Sequence, residues 1–596
     1  MLSPDRTTRI IQLIITGAFI ALAGQLFNLQ ILQREKYAVQ SEKNRSRRLR
    51  LEPPRGIIYD RSGTPLVENR PSYVLSVIPI EVRNNDKSLA FLAGLMQETP
   101  DEIKRRLARA DNPFLPFKLR RDIDYGVLVQ LEEHKLEYPG VTYEIESRRT
   151  YPAGLKSPHL FGYIGEISKS ELQRRQEEDM LPGDLVGKKG FEAYYDRELR
   201  GQVGYKVVIV DAVGRMASDQ TGSSEQAAKR GRDFYLALDA NLQALADSLF
   251  ADKRGGLVMV DTRDGGVLAL CSKPDFDPEI FTGTLTNEDW QRLVNDPAKP
   301  LYDRMIQSSY PPGSTLKMVA ATAALEERKA NQETYFSCGG GVSFGDRVFS
   351  CWNKGGHGSL NLIDALKVSC NVYFYRLSLR LTVDEWALYA SRYGLGKRTG
   401  IDLPAEEKGT LPDRAYLDHA FGKKGWTNGM MLNLGIGQGD LLVTPVQMVQ
   451  YTTIIANKGR YYPLHLVHKI YDPRTQSFFR QKLAPRTVEG ISDATYDIIR
   501  EGMYRVVNSP GGTGHNSYLD DVVVAGKTGT AQNPHGEPHA WYVGFAPFDH
   551  PEVAICVLVE NGGGGGATSG PIAGRLLRRY FDLQKKSPAL AAAPKP

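Results

Sequence analysis

The sequence predicts a mixed α/β fold of the layered α+β type, in which an antiparallel sheet is flanked by helices. A partly extended α+β module and one N-terminal transmembrane helix precede this domain. Three observations lead to the prediction. An apolar run of bilayer length occupies 10–32. Short strand and helix signals without a catalytic constellation fill 33–230. From 231 onward, hairpin signals and apolar strands are intermixed with helices, which is typical of a sheet covered by helices.

Size and charge exclude some classes of function. The chain has 596 residues, which is too long for one domain, and its apolar and charged fractions are those of a globular protein. Its formal net charge of +6 is small for this length, and no basic stripe with interleaved aromatic residues is present. We therefore expect no nucleic-acid partner.

The N-terminal apolar run is long enough to span a bilayer, although a few Gln and Asn residues interrupt it. A cleaved signal peptide is the alternative, because Ala21-Leu22-Ala23 looks like a cleavage site. The run continues past this point to Leu32, which favours an uncleaved anchor at 10–32 behind a cytoplasmic N-terminus at 1–9. The charges argue against this orientation, since two arginines precede the span and seven basic residues follow it closely. Long domains can nevertheless translocate regardless of charge.

The module at 33–230 is predicted to be non-catalytic. Strands are expected at 57–59 and 73–80, and charged helices at 100–110 and 125–134. A glycine-punctuated segment at 187–201 predicts a helix between two glycine-bearing turns.

The second domain is predicted to cover 231–584. Asp239 follows a strand at 234–238 and is a favourable N-cap for a helix at 241–252. Thr262-Arg263-Asp264-Gly265 joins two apolar runs and predicts a hairpin. The other elements expected here are strands at 522–526, 540–546 and 552–560 and a closing helix at 571–583. The Ala-, Pro- and Lys-rich end, 585–596, is predicted to be a disordered tail.

The first chemical motif surrounds Ser314. A Pro-Pro-Gly turn precedes this serine, and the alanine-rich stretch 318–327 predicts a helix that begins beside it. Residues three apart share a helix face, so Lys317 can hold its amine beside the Ser314 hydroxyl. A neutral lysine can take the proton of a serine nucleophile, and helix N-terminal N–H groups favour a developing oxyanion. Alone, Ser-x-x-Lys is also common on solvated helix faces.

Two further motifs complement the first. Ser369-Cys370-Asn371 ends a helix-like run at 360–368 and offers a hydroxyl that can shuttle a proton and an amide that can hold a substrate amide. Lys527-Thr528-Gly529-Thr530 directly follows the predicted strand 522–526. Its ammonium can bind a carboxylate, its glycine lets a substrate approach the backbone, and its last threonine offers a hydroxyl and an N–H. Taken singly, these are also ordinary helix and strand ends.

In this order, Ser-x-x-Lys, Ser-x-Asn and Lys-Thr-Gly resemble the motif set of serine β-lactamases and penicillin-binding proteins. Three further segments resemble class B penicillin-binding proteins: Pro54-Arg55-Gly56 through Gly63, Gly187-x-x-Gly190-x-Glu192, and Gly435 to Gly439 with Thr444-Pro445-x-Gln447. Two more, His539-x-Trp541 with Gly544 to Pro547 and Val559 to Gly563, resemble most their cell-elongation branch, that of penicillin-binding protein 2.

The resemblance implies the fold of serine penicillin-recognising enzymes mounted on a pedestal domain. It implies that Ser314 is acylated by a stem peptide ending in D-Ala–D-Ala, with Lys317 as its base, and that the N–H groups of Ser314 and Thr530 form the oxyanion hole. No cofactor is expected for the chemistry. The other implied site residues line the cleft or bind the donor carboxylate: Ser369, Asn371, Lys527, Thr528, Gly529 and Thr530.

The implied activity is that of a peptidoglycan D,D-transpeptidase of cell elongation, inhibited covalently by β-lactams. The implied location is the bacterial inner membrane, crossed once, with the catalytic domain in the periplasm. A SEDS-family glycan polymerase and scaffold proteins of the elongation complex are the implied partners. A division-type transpeptidase, a penicillin-sensing receptor, and a D,D-carboxypeptidase or β-lactamase are the alternatives. No signalling domain supports a receptor, and the last two classes would not need the first 230 residues.

Cys338, Cys351 and Cys370 lie in one window with His357 between them. One interpretation is a Cys338–Cys351 disulfide, since the periplasm is oxidising. A second is a set of unpaired buried thiols. The third is a closed Cys₃His structural zinc site, and some elongation-type relatives resemble it in placing metal ligands here. The remaining cysteines, 271 and 556, lie in strand patterns and are predicted to be buried apolar residues.

Overall fold

The computed structural model describes residues 4–37, 46–110, 113, 116–209, 225–281 and 285–586. The described residues form two compact units, one drawn from 1–54 and 201–231 and the other from 55–200 and 232–596. Most of the predicted tail, 587–596, lies outside the described residues, whereas 585 and 586 belong to the last helix.

The strands, in chain order, are β1 (Ser46–Leu51), β2 (Ile58–Tyr59), β3 (Pro65–Val77), β4 (Phe117–Ile123), β5 (Val141–Thr150), β6 (Ile164–Glu166), β7 (Leu185–Gly187), β8 (Gly204–Ile209), β9 (Glu225–Gln226), β10 (Asp233–Leu236), β11 (Gly255–Asp261), β12 (Val267–Lys273), β13 (Phe336–Cys338), β14 (Gly341–Phe344), β15 (Arg347–Ser350), β16 (Gly358–Leu360), β17 (Arg460–Tyr461), β18 (Val467–Asp472), β19 (Ser477–Phe479), β20 (Arg486–Thr487), β21 (Ala525–Ala531), β22 (His539–Ala546) and β23 (Val553–Val559).

The α-helices are Pro4–Phe27, Pro79–Val82, Asp86–Met96, Pro100–Leu107, Tyr125–Glu133, Lys169–Arg174, Gly190–Tyr194, Asp196–Arg200, Ala240–Leu249, Asn287–Asn295, Lys317–Glu326, Leu362–Lys367, Asn371–Ser378, Val383–Arg392, Arg414–Phe421, Met430–Leu434, Pro445–Ala456, Asp493–Asn508 and Gly565–Lys586.

The first unit contains the N-terminal helix Pro4–Phe27, which continues into a π-helical turn at Asn28–Leu32. Its stretch Ile10–Leu32 is long and apolar enough to cross a bilayer, and none of it is buried within the protein. An unburied apolar helix of this length is consistent with a single-pass membrane anchor. The same unit holds an antiparallel sheet in the order β1-β8-β9.

The centre of the second unit is an antiparallel five-stranded sheet in the order β12-β11-β23-β22-β21. Successive side chains of a strand point to opposite faces. Val258 and Val260 of β11 therefore belong to one core cluster, and Leu257 and Met259 belong to another. Pro445–Ala456 packs on the first face, and Ala240–Leu249 and Gly565–Lys586 pack on the second. This arrangement confirms the predicted sheet flanked by helices.

A second sheet in this unit runs β19-β18-β10-β2-β3-β4, with β5 also paired to β3. It combines strands from before and after residue 230. A buried ion-pair network lies nearby. The carboxylate of Glu192 lies 2.5 Å from a guanidinium nitrogen of Arg55 and 2.7 Å from one of Arg149. Arg55 also lies 2.9 Å from Asp196. These ion pairs explain physically why the segments around Arg55 and Glu192, which are far apart in the chain, depend on each other.

Several predicted boundaries differ from the structure. The strand expected at 522–526 is β21, which begins at Ala525 and runs through the Lys-Thr-Gly-Thr motif to Ala531. The motif is polar, so the apolar pattern that predicted the strand ends before the strand itself does. The closing helix begins at Gly565 rather than at 571. Its first residues include glycines, which ordinarily weaken a helix and so hid its start, but close packing requires them there. The N-cap prediction for Asp239 is confirmed, since its side chain accepts from the N–H groups of Asn241 and Leu242.

Candidate active site

Ser314 lies on a short 3-10 helix, Gly313–Leu316, that runs directly into the helix Lys317–Glu326. Gly313 has a φ of +56°, and a Cβ there would lie 2.9 Å from the carbonyl oxygen of Thr530. Its N–H donates to the carbonyl of Gly437 at 2.9 Å. The serine is therefore set at a helix start, as predicted, between strand β21 and the glycine-rich segment 435–439.

A side chain of strand β22 and one directly after strand β23 hold the turn that precedes this serine. Trp541 Nε1 donates to the carbonyl of Pro311 at 3.0 Å. The hydroxyl of Tyr310 donates to Glu560 Oε1 at 2.7 Å, and Arg304 Nε donates to the same oxygen at 2.9 Å. These contacts attach the Ser314 turn to the central sheet at two places.

Lys317 is fully buried and faces the Ser-x-Asn motif. Its Nζ donates to the carbonyl of Ser369 and to Asn371 Oδ1, both at 2.7 Å, and lies 3.3 Å from Ser369 Oγ. Burial lowers the pKa of Lys317 to about 7, against a smaller opposing influence of Cys370 and Cys351. Within the described residues the Ser314 hydroxyl makes no hydrogen bond, and its pairing with the Lys317 amine stays a prediction.

Ser369 connects two lysines. Its Oγ accepts from Lys527 Nζ at 2.9 Å as well as from Lys317, and Lys527 also donates to the carbonyl of Thr528 at 3.0 Å. Ser369 has a φ of +52°, a left-handed conformation that is uncommon for a residue with a side chain. Burial and, secondarily, the charge of Lys317 lower the pKa of Lys527. The site thus contains two desolvated amines joined through one hydroxyl.

The Lys-Thr-Gly strand is covered by the glycine-rich start of the last helix. A Cβ on Gly565 would lie 2.2 Å from the carbonyl oxygen of Trp541 and 2.3 Å from that of Gly529. The hydroxyl of Thr528 lies 2.8 Å from that of Thr513. Backbone approach this close is possible only without a side chain at position 565.

The predicted residues converge on one cavity of about 710 Å³. Ser314, Ser369, Asn371, Thr528 and Thr530 line it, while Lys317 and Lys527 are buried against Ser369. Another cavity, of about 820 Å³, is lined by five arginines of 105–121 and by other residues, none of which belongs to the three motifs.

Other residues that line the active-site cavity were not predicted. They include Lys354, Tyr375, Asn433, Thr513 and Gln532. No local pattern marks these positions in the sequence, because long-range packing brings them to the cavity. The glycine runs around 437 and 565 were the one available signal, since glycine often marks close backbone approach.

The four residues of the cysteine window form one cluster, in which the atoms that could bind a metal all lie within 4.8 Å of one another. His357 Nδ1 lies 3.6 Å from Cys338 Sγ and 3.5 Å from Cys351 Sγ. All five cysteines lie among the described residues, and none of them forms a disulfide. Cys370 belongs to this cluster and also separates Ser369 from Asn371 in the chain, so the cluster adjoins the active-site wall.

Comparison with known proteins agrees with this site. Residues 255–578 match the family described as the penicillin binding protein transpeptidase domain, and residues 50–236 match the penicillin-binding protein dimerisation domain. The chain is 33% identical to the peptidoglycan D,D-transpeptidase MrdA of Escherichia coli strain K12, and the match covers 98% of this chain and 95% of that protein.

Two solved structures are also similar. One is the penicillin-binding protein PBP2 of Helicobacter pylori in complex with MreC, with a TM-score of 0.80, 28% identity, and coverage of 90% of this chain and 99% of that chain. The other belongs to a peptidoglycan synthase complex studied for its coordination of polymerization and crosslinking. Its TM-score is 0.71, its identity 28%, and its coverage 97% of this chain and 98% of that chain.

The glycine packing generates a prediction. Gly565→Ala is expected to destabilise the protein by about 1–3 kcal/mol, because the new methyl group must displace backbone of β21 or β22. Thermal unfolding measures the effect. Gly564→Ala is the matched control, since its Cβ meets no atom within 4 Å. Equal unfolding temperatures for the two variants would contradict the packing described here.

Proposed function

This chain belongs to the penicillin-binding protein transpeptidase family, and we propose that it is a peptidoglycan D,D-transpeptidase that cross-links stem peptides during cell elongation. The convergence of Ser314, Lys317, Ser369, Asn371 and Lys527 around one cavity carries the proposal. The activity named for the MrdA relative supports it.

In the first step, Ser314 Oγ attacks the carbonyl carbon between the two terminal D-Ala residues of the donor stem peptide. Neutral Lys317 accepts the hydroxyl proton as the new C–O bond forms. The C–N bond then breaks, and the departing amine of D-Ala takes up a proton. Ser369 is suited to deliver this proton, because its hydroxyl contacts both Lys317 and Lys527.

Strand β21 positions the donor peptide. It is an edge strand of the five-stranded sheet, so an extended peptide can align along it. The Lys527 ammonium and the hydroxyl of Thr528 or Thr530 hold the terminal carboxylate. Gly529 leaves room for the substrate beside the backbone, and Asn371 holds a substrate amide. The N–H groups of Ser314 and Thr530 stabilise the oxyanion.

In the second step, the amine of a neighbouring stem peptide attacks the acyl-enzyme carbonyl. The ester bond to Ser314 breaks, the serine recovers a proton, and a new peptide bond cross-links the two stems. A β-lactam acylates the same serine, because its strained amide carbonyl occupies the position of the scissile bond.

The apolar helix at 10–32 supports anchoring in the inner membrane. The proposed activity requires the cavity to lie on the periplasmic side, where stem peptides are found. The similar PBP2 structure was solved with MreC, and the other similar structure belongs to a peptidoglycan synthase complex. These likenesses support a scaffold protein of the elongation complex and a SEDS-family glycan polymerase as partners of this chain.

We further propose that the cysteine cluster holds a structural zinc ion rather than a disulfide. Three thiolates and one imidazole form a closed Cys₃His donor set. The Sγ to Nδ1 distances of 3.5 and 3.6 Å agree with the roughly 3.6 Å expected between sulfur and nitrogen ligands of one tetrahedral zinc. When bound, the zinc would hold Cys338, Cys351, His357 and Cys370 together and brace the wall that carries Ser369 and Asn371. It takes no part in the acyl transfer.

Labelling with fluorescent penicillin tests the central assignment. The wild-type protein is expected to be labelled covalently, and Ser314→Ala is expected to lose the label, because the acylated oxygen is absent. Thr315→Ser is a control that changes the neighbouring hydroxyl residue and keeps the nucleophile. Covalent labelling of the Ser314→Ala protein would remove the assignment.

The same variant separates elongation from division. Cells that depend on the Ser314→Ala protein are expected to become round if the enzyme serves elongation, whereas a division enzyme would give filaments.

The pH dependence tests Lys317. Because the base must be neutral, the acylation rate at saturating penicillin is expected to rise about ten-fold per pH unit below about 7 and to level off above it. Stopped-flow acylation across this range measures the profile. A rate that stays constant from about pH 5 to 8 would argue against Lys317 as the base.

Metal analysis with thiol titration tests the zinc site. Purified protein is expected to retain zinc, and Cys351→Ala to lose it, because one of four ligands is removed. Cys271→Ala is the control, since this buried cysteine lies on β12 outside the cluster. A protein without zinc and with two fewer titratable thiols would instead contain the Cys338–Cys351 disulfide.

A further inference from the structure

Lys354 lies on the wall of the active-site cavity, between Cys351 and His357 in the chain. Its side chain is exposed. Within the described part of the chain, its ammonium has neither an ion-pair partner nor a hydrogen-bond acceptor. Neither the proposed acyl transfer nor the cysteine cluster uses this charge.

The surroundings of Lys354 are short of negative charge. Among the described residues that line the cavity there is no aspartate and no glutamate. The other two amines of the site, on Lys317 and Lys527, are buried and engaged with Ser369 and Asn371. Among its described residues the cavity therefore offers one solvent-accessible cation without a counter-ion, which is suited to an anionic group of a ligand.

The backbone around Lys354 is held in place at both ends. The N–H of Cys351 donates to the carbonyl of Gly340 at 2.8 Å, and the N–H of His357 donates to the carbonyl of Cys338 at 3.0 Å. Between them, Asn353 Nδ2 donates to the carbonyl of Gly356 at 2.7 Å.

Close packing restricts the same loop further. A Cβ on Gly340 would lie 2.1 Å from the carbonyl oxygen of Lys354, so the two backbones are in direct contact. The Trp352 indole also donates to the carbonyl of Val368 at 3.1 Å, next to the Ser-x-Asn motif. Lys354 is thus a flexible charged side chain on a fixed point of the cavity wall.

We propose that Lys354 binds a second carboxylate of the stem peptide, one that precedes the D-Ala–D-Ala end. This inference rests on the proposed function, in which Lys527 already holds the terminal carboxylate. Lys354 then supplies a second cation in the same cavity, which matches a second carboxylate of the same stem peptide. The enzyme therefore discriminates between stem peptides in which this carboxylate is free and those in which it is amidated.

The experiment uses full-length protein in detergent with matched stem peptides that differ only in one carboxylate, free or amidated. Lys354→Met is expected to raise KM for the free-carboxylate peptide about five-fold with kcat unchanged, because a solvated ion pair contributes little more than this. The amidated peptide is expected to show no change, and Lys354→Arg is expected to retain the preference because it keeps the charge. Acylation by a small penicillin, which lacks the second carboxylate, is expected to be the same in all variants.

The free and amidated forms are tested first in the donor and then in the acceptor peptide, since either could supply the anion. An effect that follows the donor or the acceptor assigns Lys354 to that peptide. Lys482→Met is the control, because this exposed lysine does not line the cavity.

Two outcomes would overturn the inference: equal KM values for Lys354→Met and wild type with every peptide, or an equal loss with free and amidated peptides, which indicates a structural role. Failure of the proposed function is distinguishable, because it would appear as penicillin labelling that persists in Ser314→Ala. If labelling requires Ser314 and the carboxylate preference is absent, only the role of Lys354 is wrong.

Discussion

The active site depends on the complete burial of the Lys317 amine. A lysine whose pKa falls from 10.5 to about 7 reduces folding stability by on the order of 5 kcal/mol at pH below 7, because the unfolded chain binds the proton more strongly. This cost decreases as the pH rises from 7 toward 10.5, where the unfolded amine also becomes neutral. The two hydrophobic clusters on the faces of the central sheet must offset this loss of stability. In return, the protein holds an amine that can be neutral near physiological pH.

The same burial organises the polar groups around the amine. A desolvated amine needs hydrogen-bond acceptors, and Lys317 finds them in the carbonyl of Ser369 and the amide oxygen of Asn371. Ser369 reaches this position through a left-handed backbone conformation and also accepts from Lys527. One set of hydrogen bonds therefore links the helix of the nucleophile, the Ser-x-Asn turn and the Lys-Thr-Gly strand.

Backbone packing fixes the distances between these three elements. Gly313 and Gly565 lie against β21 at separations that exclude a side chain, and Trp541 ties the nucleophile's turn to β22. The cysteine cluster and Lys354 lie instead in a region of loops and hairpins on the cavity wall. The chemistry of acylation thus lies on packed elements, and the contacts that would select a substrate lie on loops braced by local bonds.

The sequence alone determined which groups we propose for the chemistry, and their order along the chain. The three motifs could be found because each has characteristic residues at a predicted helix or strand end. They are those of Ser314, Ser-x-Asn and Lys-Thr-Gly. The layered fold followed from strand and helix periodicity. Strand β21 was placed too early, because its polar motif breaks the apolar pattern that marks a strand. The sequence also left the cysteine window open between three interpretations.

Only the tertiary structure decided which partners these groups have. It bonded Lys317 to Asn371, paired Gly529 with Trp541, and gathered four side chains that could hold a metal ion. It also brought Lys354 to the cavity. The physical reason is that local periodicity encodes the face of a helix or strand, whereas these contacts join residues far apart in the chain. Their geometry is set by how whole elements pack, and no short stretch of sequence contains that information.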